Sequence, residues 1–512
     1  ISIVYLLIIK SFIRMKIYFR ENQLAYLNQI AANTVGHSNF TLLVGKRKVG
    51  KTTLIKQFLR ANAGAYFTIS NKSSFLQLQD ISEYLKSYTF PDSFIPNFQS
   101  WGNFFEFLFY IARNRPVNVV IDEFHNFELI EPEAFDELRR AWDTHSKNSM
   151  LNLIVVTSNI DFMKRKFDSE DSPLFRINNH FIKLTPFRLS DVIVIFRKNN
   201  SKLTTSQIIE LYTIFGGLPK YYFLIERHQL WNKDLETILK ELVFVDFAPL
   251  AYELKELLIN DFTRGNKIYL SILQAIAAGF TKMSDIAKTV NIPVTNLTKY
   301  LYELEKKKRL IERQLPVNTS DDTKSKFGRY FIRNYFENFW FRFIQPDIIN
   351  FEMGEYDKML VTIGEKLEEY VNSRLGIFIR EIFHDYQKSP YIQYLFPFEI
   401  TKVGSVWNRK DTIEIVVVSE PAKAVLYANL VLQEEPLNKY DVNLASTQFF
   451  KFKNLYSNYS KRYLLITRNG VDEGAEAFCK QKNLSTIDIN VFFEALVNDT
   501  VDTDAQIIEI IV

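Results

Sequence analysis

The chain has 512 residues, a net charge of +4, 47% hydrophobic and 24% charged residues, and one cysteine, Cys479. That length exceeds one core and predicts three or four domains, and the small net charge gives no global argument for nucleic acid. A single cysteine excludes an internal disulfide framework and cysteine-rich metal sites, and fits a reducing, cytoplasmic compartment with Cys479 as a packing residue.

Residues Ile1 to Ile9 form an apolar run too short to span a bilayer, and the basic residues follow it instead of preceding it as in a secretory signal. Residues 1–14 are read as a translated upstream extension or an interfacial tail, with Met15 as the natural start. No later run reaches spanning length without a charge, so no membrane partner is expected.

Helical spacing over Glu21 to Ala32 precedes the apolar run Phe40 to Val44, a buried strand. Thr52 to Asn62 reads as a helix and Ala65 to Ser70 as a strand. Further strands are expected at Val117 to Ile121, Leu151 to Thr157 and Phe181 to Leu184, separated by helical stretches. This alternation predicts a parallel sheet covered on both faces, an α/β domain over residues 15–190. Helical spacing then fills 191–262, broken by Gly216 to Pro219. Residues 263–326 suggest three helices and a hairpin, ending in a polar loop from Asn318 to Lys326. The remainder, 327–512, opens on an aromatic-rich stretch, continues with an amphipathic helix over Gly364 to Arg380, and alternates strands and helices from Val403.

The string GKRKVGKT, Gly45, Lys46, Arg47, Lys48, Val49, Gly50, Lys51 and Thr52, fits G-x-x-x-x-G-K-[ST] between a predicted strand and a predicted helix. Gly45 and Gly50 allow backbone N–H groups to turn toward phosphate oxygens, Lys51 reaches the β and γ phosphates, and Thr52 ligates Mg2+. Thr53 follows at the start of the helix, whose positive end faces the same anion. The run VNVVI ends in Asp122 and Glu123, about seventy residues later; Asp122 is expected to hold Mg2+ through water and Glu123 to polarise the attacking water. Leu151 to Asn159 ends in Thr157, Ser158 and Asn159. A polar residue there, Asn159 being the candidate taken, is either a water-orienting or γ-phosphate-sensing group, or a strand-to-loop cap. NKSS at Asn71 to Ser74 lacks the acid of a guanine signature, which favours ATP over GTP.

GKRKVGKTTLI, VVIDEFHNF, a strand ending in TSN, SPLF followed by Arg176, and GGLPKYY occur in the order that resembles archaeal-type ATPases of the STAND-like branch of P-loop NTPases. FGRYFIRNYFENFWFRFI and the tail extend the likeness to a winged helix and a C-terminal domain of unknown function that is similar to PD-(D/E)xK nucleases. The resemblance implies a P-loop NTPase with a helical lid, a winged helix and a nuclease-like α/β domain. It also implies an ATP-driven switch or motor acting on DNA or within a protein complex, possible homo-oligomers included. By that analogy Arg176 is a sensor or finger arginine, although the family's preceding glycine is absent; the alternative is a surface arginine. Pro219 would restrict the backbone beside the base, or belong to a plain helix–helix turn.

Nine Lys or Arg against four acids lie in Asn266 to Pro316, and Thr295, Asn296 and Lys299 would face a groove if the second helix entered DNA. The other reading packs this domain against the nucleotide domain. In the tail, Glu414 stands at the nuclease fold's first acid, but Asn429 and Val431 replace the expected acid and lysine, and Glu365 or Glu368 leave the set incomplete. A nuclease-like fold without cleavage is expected, an active nuclease being the weaker alternative. A slow-turnover, nucleotide-dependent scaffold stands as the second reading of the whole chain.

Overall fold

The computed structural model describes residues 19–87, 95–251, 253, 267–319 and 327–495. The apolar extension, residues 1–14, lies outside the described residues, as do parts of the expected lid, polar loop and C-terminal stretch. Cα packing divides the chain into two units. The first is residues 1–187 with Leu218–Lys220; the second is Arg188–Gly217 with residues 221–512.

The first unit is built on a five-stranded parallel sheet: β1 (Asn39–Gly45), β2 (Gly64–Thr68), β3 (Val117–Asp122), β4 (Leu151–Thr157) and β5 (His180–Leu184). Its spatial order is β2-β3-β4-β1-β5. Every residue of β1 and β4 is buried, the polar Asn39, Thr41, Asn152 and Thr157 included, as a largely apolar strand in a twice-covered sheet requires. Successive side chains divide between two cores. Phe40, Leu42, Val44, Val119, Ile121, Leu153 and Val155 face an aromatic core with Trp101, Phe104, Phe124, Phe127 and Phe162. Leu43, Val120, Ile154, Val156 and Ile182 face the opposite core with Leu54, Ile55 and Phe58 of the helix α2 (Lys51–Ala61) and Leu27 of α1 (Glu21–Ala32).

This two-residue period positions the site. Asp122 follows Ile121 and shares the face of Val120, toward α2, and Tyr66 lies beside Val120 in the parallel register of β2 and β3. The aromatic core rests on close edge-on pairs such as Trp101–Phe127, with centroids 4.6 Å apart, each contributing about 0.5–1.5 kcal/mol beyond area burial.

The second unit begins with helices Leu189–Lys198 and Thr205–Phe215. Residues 267–332 hold helices Lys267–Ala277, Met283–Val290 and Val294–Tyr302, then the antiparallel pair β6 (Ile311–Gln314) and β7 (Arg329–Ile332). The aromatic stretch becomes short helical turns with Phe336, Phe339 and Trp340 buried. The amphipathic helix is longer than its spacing suggested, Tyr356–Asp385. A mixed sheet follows, β8 (Lys402–Trp407), β9 (Thr412–Ser419), β10 (Ala424–Val431), β11 (Ser460–Thr467) and β12 (Leu484–Asp488), in the order β12-β11-β10-β9-β8. β8 and β12 escaped the sequence pattern because they are edge strands, β8 interrupted by a register shift at Gly404/Val406 and β12 half-exposed. Cys479 is buried in this sheet's core, as expected of a packing residue. Among the described residues no helix is long and apolar enough to cross a membrane.

Candidate functional site

The Gly45–Thr52 segment links the C-terminal end of β1 to the N-terminus of α2. Gly45 must be glycine for steric reasons, since a Cβ there would stand 2.7 Å from the Leu184 carbonyl oxygen and 2.8 Å from Val49 Cγ1. The loop turns through left-handed backbone at Lys48 (φ 66°) and Gly50 (φ 95°), which suits a concave run of N–H groups. Val49 is fully buried and anchors the loop, while Lys46, Arg47 and Lys48 are exposed. No acid occupies the first turn of α2, so nothing there repels an anion.

Lys51 is buried, and its ammonium donates to the carbonyls of Gly45 (2.7 Å) and Lys46 (3.0 Å), curling back over the loop. Burial lowers its pKa from the ordinary value; Glu123 and Asp122 work against that fall, and Arg47 adds to it. The lysine, the loop and the acidic pair thus come together across β4, although β1 and β3 are not neighbours.

Asp122 is buried and accepts three hydrogen bonds. Its Oδ1 accepts the Glu123 N–H at 2.7 Å, and its Oδ2 accepts the Tyr66 hydroxyl at 2.5 Å and the Thr52 hydroxyl at 3.4 Å. Burial and the Asp122 charge raise the Tyr66 pKa well above its usual range, so the phenol stays a donor. Glu123 adopts left-handed backbone (φ 53°), an uncommon conformation for a non-glycine residue that turns its side chain away from the strand's alternation. Its Oε2 accepts from Ser158 Oγ at 3.3 Å and lies 3.4 Å from His125 Nδ1, which is itself 3.3 Å from Thr157 Oγ1.

Tyr66 and His125 are the residues sequence reasoning passed over, while Ser158 was named only as one of the polar residues that end the strand. A tyrosine on the strand after the phosphate-loop helix, and a histidine two places beyond the acidic pair, were the available signals. Asn159 caps the short helix Ile160–Met163, its side chain accepting the Phe162 N–H at 2.9 Å, which is the strand-to-loop role. Arg176 is exposed on left-handed backbone (φ 50°), its guanidinium 4.8 Å over the Phe175 ring. Pro219 clusters with the first unit, and a Cβ on Gly50 would lie 3.9 Å from its ring.

The residues present fit Mg2+. Thr52 and Asp122 bring a hydroxyl and a carboxylate, hard oxygen donors, to one point from two elements. Among the described residues no group of three or more His, Cys, Asp or Glu could hold a metal ion. An ion here would take its other ligands from phosphate and water, the usual arrangement for this cation.

In the second unit, Glu414 on β9 donates its N–H to Asn429 Oδ1 (3.0 Å), and Asn429 Nδ2 donates to Gln448 Oε1 (3.2 Å). Arg380 donates to the Glu414 carbonyl at 2.7 Å and lies 3.9 Å from its carboxylate. Glu368 is held by Arg468, and Glu365 is exposed.

Residues 37–192 match the family described as an AAA domain, and residues 340–435 match the family described as archaea bacterial proteins of unknown function. A Methanocaldococcus jannaschii protein, named only as uncharacterized protein MJECL04, is 26% identical over 454 residues, 87% of this chain and 94% of its own length. Among solved structures, the Walker-type ATPase PABY2304 of Pyrococcus abyssi is 20% identical with a TM-score of 0.46, covering 64% of this chain and 97% of that one. The Aeropyrum pernix ORC2 protein, solved in ADPNP-ADP complexes, is 13% identical with a TM-score of 0.42, covering 67% and 97%. The family matches therefore cover two segments: an AAA domain over residues 37–192, which holds the loop and the acidic pair, and a domain shared with archaeal and bacterial proteins of unknown function over residues 340–435.

Proposed function

We propose that the protein binds and hydrolyses ATP, and that turnover serves a switch or motor acting on DNA or within a protein complex. The observation that carries this reading is the convergence of Lys51, Thr52, Asp122 and Glu123 at one end of the parallel sheet. The backbone N–H groups from Lys46 to Thr53 receive the phosphates, and Lys51 exchanges its two carbonyl partners for phosphate oxygens. Thr52, directly, and Asp122, through water, would hold Mg2+, which would supply neutralisation of phosphate charge. Glu123 orients the attacking water after its carboxylate leaves Ser158 and His125. Pro219 borders the loop at Gly50, and Arg176 is the candidate for a charge-stabilising arginine supplied within the chain or across copies.

The three helices and β6–β7 support a winged-helix reading, with DNA on helix Val294–Tyr302. Thr295, Asn296, Thr298, Lys299 and Tyr302 are exposed there while Leu297 and Leu301 are buried. In the C-terminal sheet, the Asn429 amide is spent on internal hydrogen bonds and Arg380 lies beside Glu414, where a metal-dependent nuclease would keep carboxylates open. That supports a nuclease-like domain without cleavage.

The test is phosphate release by the purified chain with and without duplex DNA. Lys51→Ala is expected to abolish release, and Glu123→Gln to remove rapid turnover while nucleotide still binds. Unchanged release by Lys51→Ala defeats the ATPase reading. Slow wild-type turnover that Glu123→Gln scarcely alters selects the nucleotide-dependent scaffold.

A further inference from the structure

The β6–β7 pair is committed along its flank to the edge strand of the C-terminal sheet. Val317, beyond β6, donates its N–H to the Ser405 carbonyl at 2.9 Å, and Trp407 Nε1 donates to the Phe327 carbonyl at 2.8 Å. The Arg329 guanidinium stacks 4.5 Å over Trp407 and donates to Thr412 Oγ1 at 3.0 Å. Gly404 makes room for this seam, since a Cβ there would meet Val317 Cβ at 3.0 Å. Both flanks of the β6–β7 connection are therefore spent on β8 and β9.

The same seam carries a second basic element, the β8–β9 turn from Asn408 to Asp411. Asn408 Oδ1 accepts the N–H groups of Lys410 and Asp411, both at 2.8 Å, which fixes the turn. The Asp411 carboxylate is neutralised by Lys451 at 2.6 Å. Arg409 and Lys410 are exposed, and neither forms an ion pair among the described residues. Lys282 Nζ donates to the Arg409 carbonyl at 3.3 Å. This places the turn at the start of helix Met283–Val290, the first helix of the pair whose second helix, Val294–Tyr302, shows the exposed polar face. When such a pair docks on duplex DNA, the second helix enters the major groove and the first crosses the sugar–phosphate backbone. Lys288, one turn and a half further along the first helix, is also exposed, and Asp285 is the acid on this helix.

We propose that the β8–β9 turn is a phosphate clamp for duplex DNA, with Arg409 and Lys410 gripping the backbone that the first helix crosses. The C-terminal sheet thereby contributes to nucleic-acid binding by charge, without cleavage chemistry. This rests on the reading that helix Val294–Tyr302 meets DNA, and the experiment separates the two. The full-length chain is titrated against a fluorescein-labelled duplex at several salt concentrations, using wild type, Arg409→Ala/Lys410→Ala and Asn296→Ala/Lys299→Ala. The turn variant keeps the backbone carbonyl that Lys282 uses and the Asn408 contacts, so the fold is retained and ATP turnover without DNA is unchanged. Losing two phosphate contacts predicts a log–log salt slope shallower by about 1.8, and hence binding weaker by roughly sixtyfold near 0.1 M salt. Wild-type affinity and slope in the turn variant, with binding lost in Asn296→Ala/Lys299→Ala, overturn the clamp and leave the helix reading intact. No duplex binding by the wild-type chain overturns both.

Discussion

Tyr66→Phe removes one oxygen atom from the site and tests whether Asp122 acts as a positioned carboxylate. The hydroxyl lies 2.5 Å from Asp122 Oδ2, while Thr52 reaches the same oxygen at 3.4 Å and the Glu123 N–H holds Oδ1 at 2.7 Å. A hydrogen bond to a charged acceptor contributes about 1.5–3 kcal/mol. Because two donors remain on Asp122, the lower end applies, about 1.5 kcal/mol or roughly tenfold. The loss should fall on the magnesium-dependent part of nucleotide affinity and on turnover, with little change in magnesium-free binding. Fluorescent-nucleotide titrations with and without magnesium, beside phosphate release at graded magnesium, read both quantities. A second signature is pH: the Tyr66 pKa is raised in the folded chain, so its contribution to stability is fully present below about 10 and fades as pH climbs through the folded value. The stability difference between wild type and Tyr66→Phe should therefore shrink only in strong alkali. Identical magnesium dependence and turnover in the two proteins would refute the reasoning.

Gly45→Ala should destabilise the first unit by about 1–3 kcal/mol, because its Cβ overlaps the Leu184 carbonyl and Val49, and forcing that space strains the β1–β5 pairing. Chemical denaturation measures this, and an unchanged midpoint would show that the loop yields freely. Lys51→Met should make the nucleotide-free protein more stable at neutral pH while nucleotide binding is lost, since burial penalises the ammonium there. The sign follows from a folded pKa below the unfolded one: wild-type stability rises as pH climbs through the folded value toward 10.5, and the variant lacks that rise. Thermal unfolding across that range reads it, and a variant less stable than wild type throughout contradicts the assignment.

Residues contiguous in the chain carried the readable part of the site. Gly45 to Thr52 spell out their own geometry, because a phosphate loop needs glycine at its bends and a lysine and hydroxyl at the helix start. The run Val117 to Ile121 announced its acids because a strand covered on both faces is largely apolar, here at four residues of five. The amphipathic helix and the pair of helices after Lys282 were likewise legible as local periodicity. Tyr66 was not, because its partnership with Asp122 comes from the register of two parallel strands 56 residues apart. Ser158 and His125 became partners of Glu123 only through the left-handed turn at Glu123 and the placing of β4 beside β3. Asn159 shows the converse: its residue type suited two roles, and the start of a short helix at Ile160 engaged it as a cap.

In the second unit the composition of β8, with a glycine and a register shift, concealed an edge strand that exists because β9 and the residues flanking β6–β7 hold it from both sides. By itself, then, the sequence determined the phosphate loop, the acidic strand and the α/β class, all written in local pattern. The tertiary structure decided which side chains hold the acids, how the hairpin is used and where the basic turn lies. Those depend on contacts between residues far apart in the chain, and no local period encodes them.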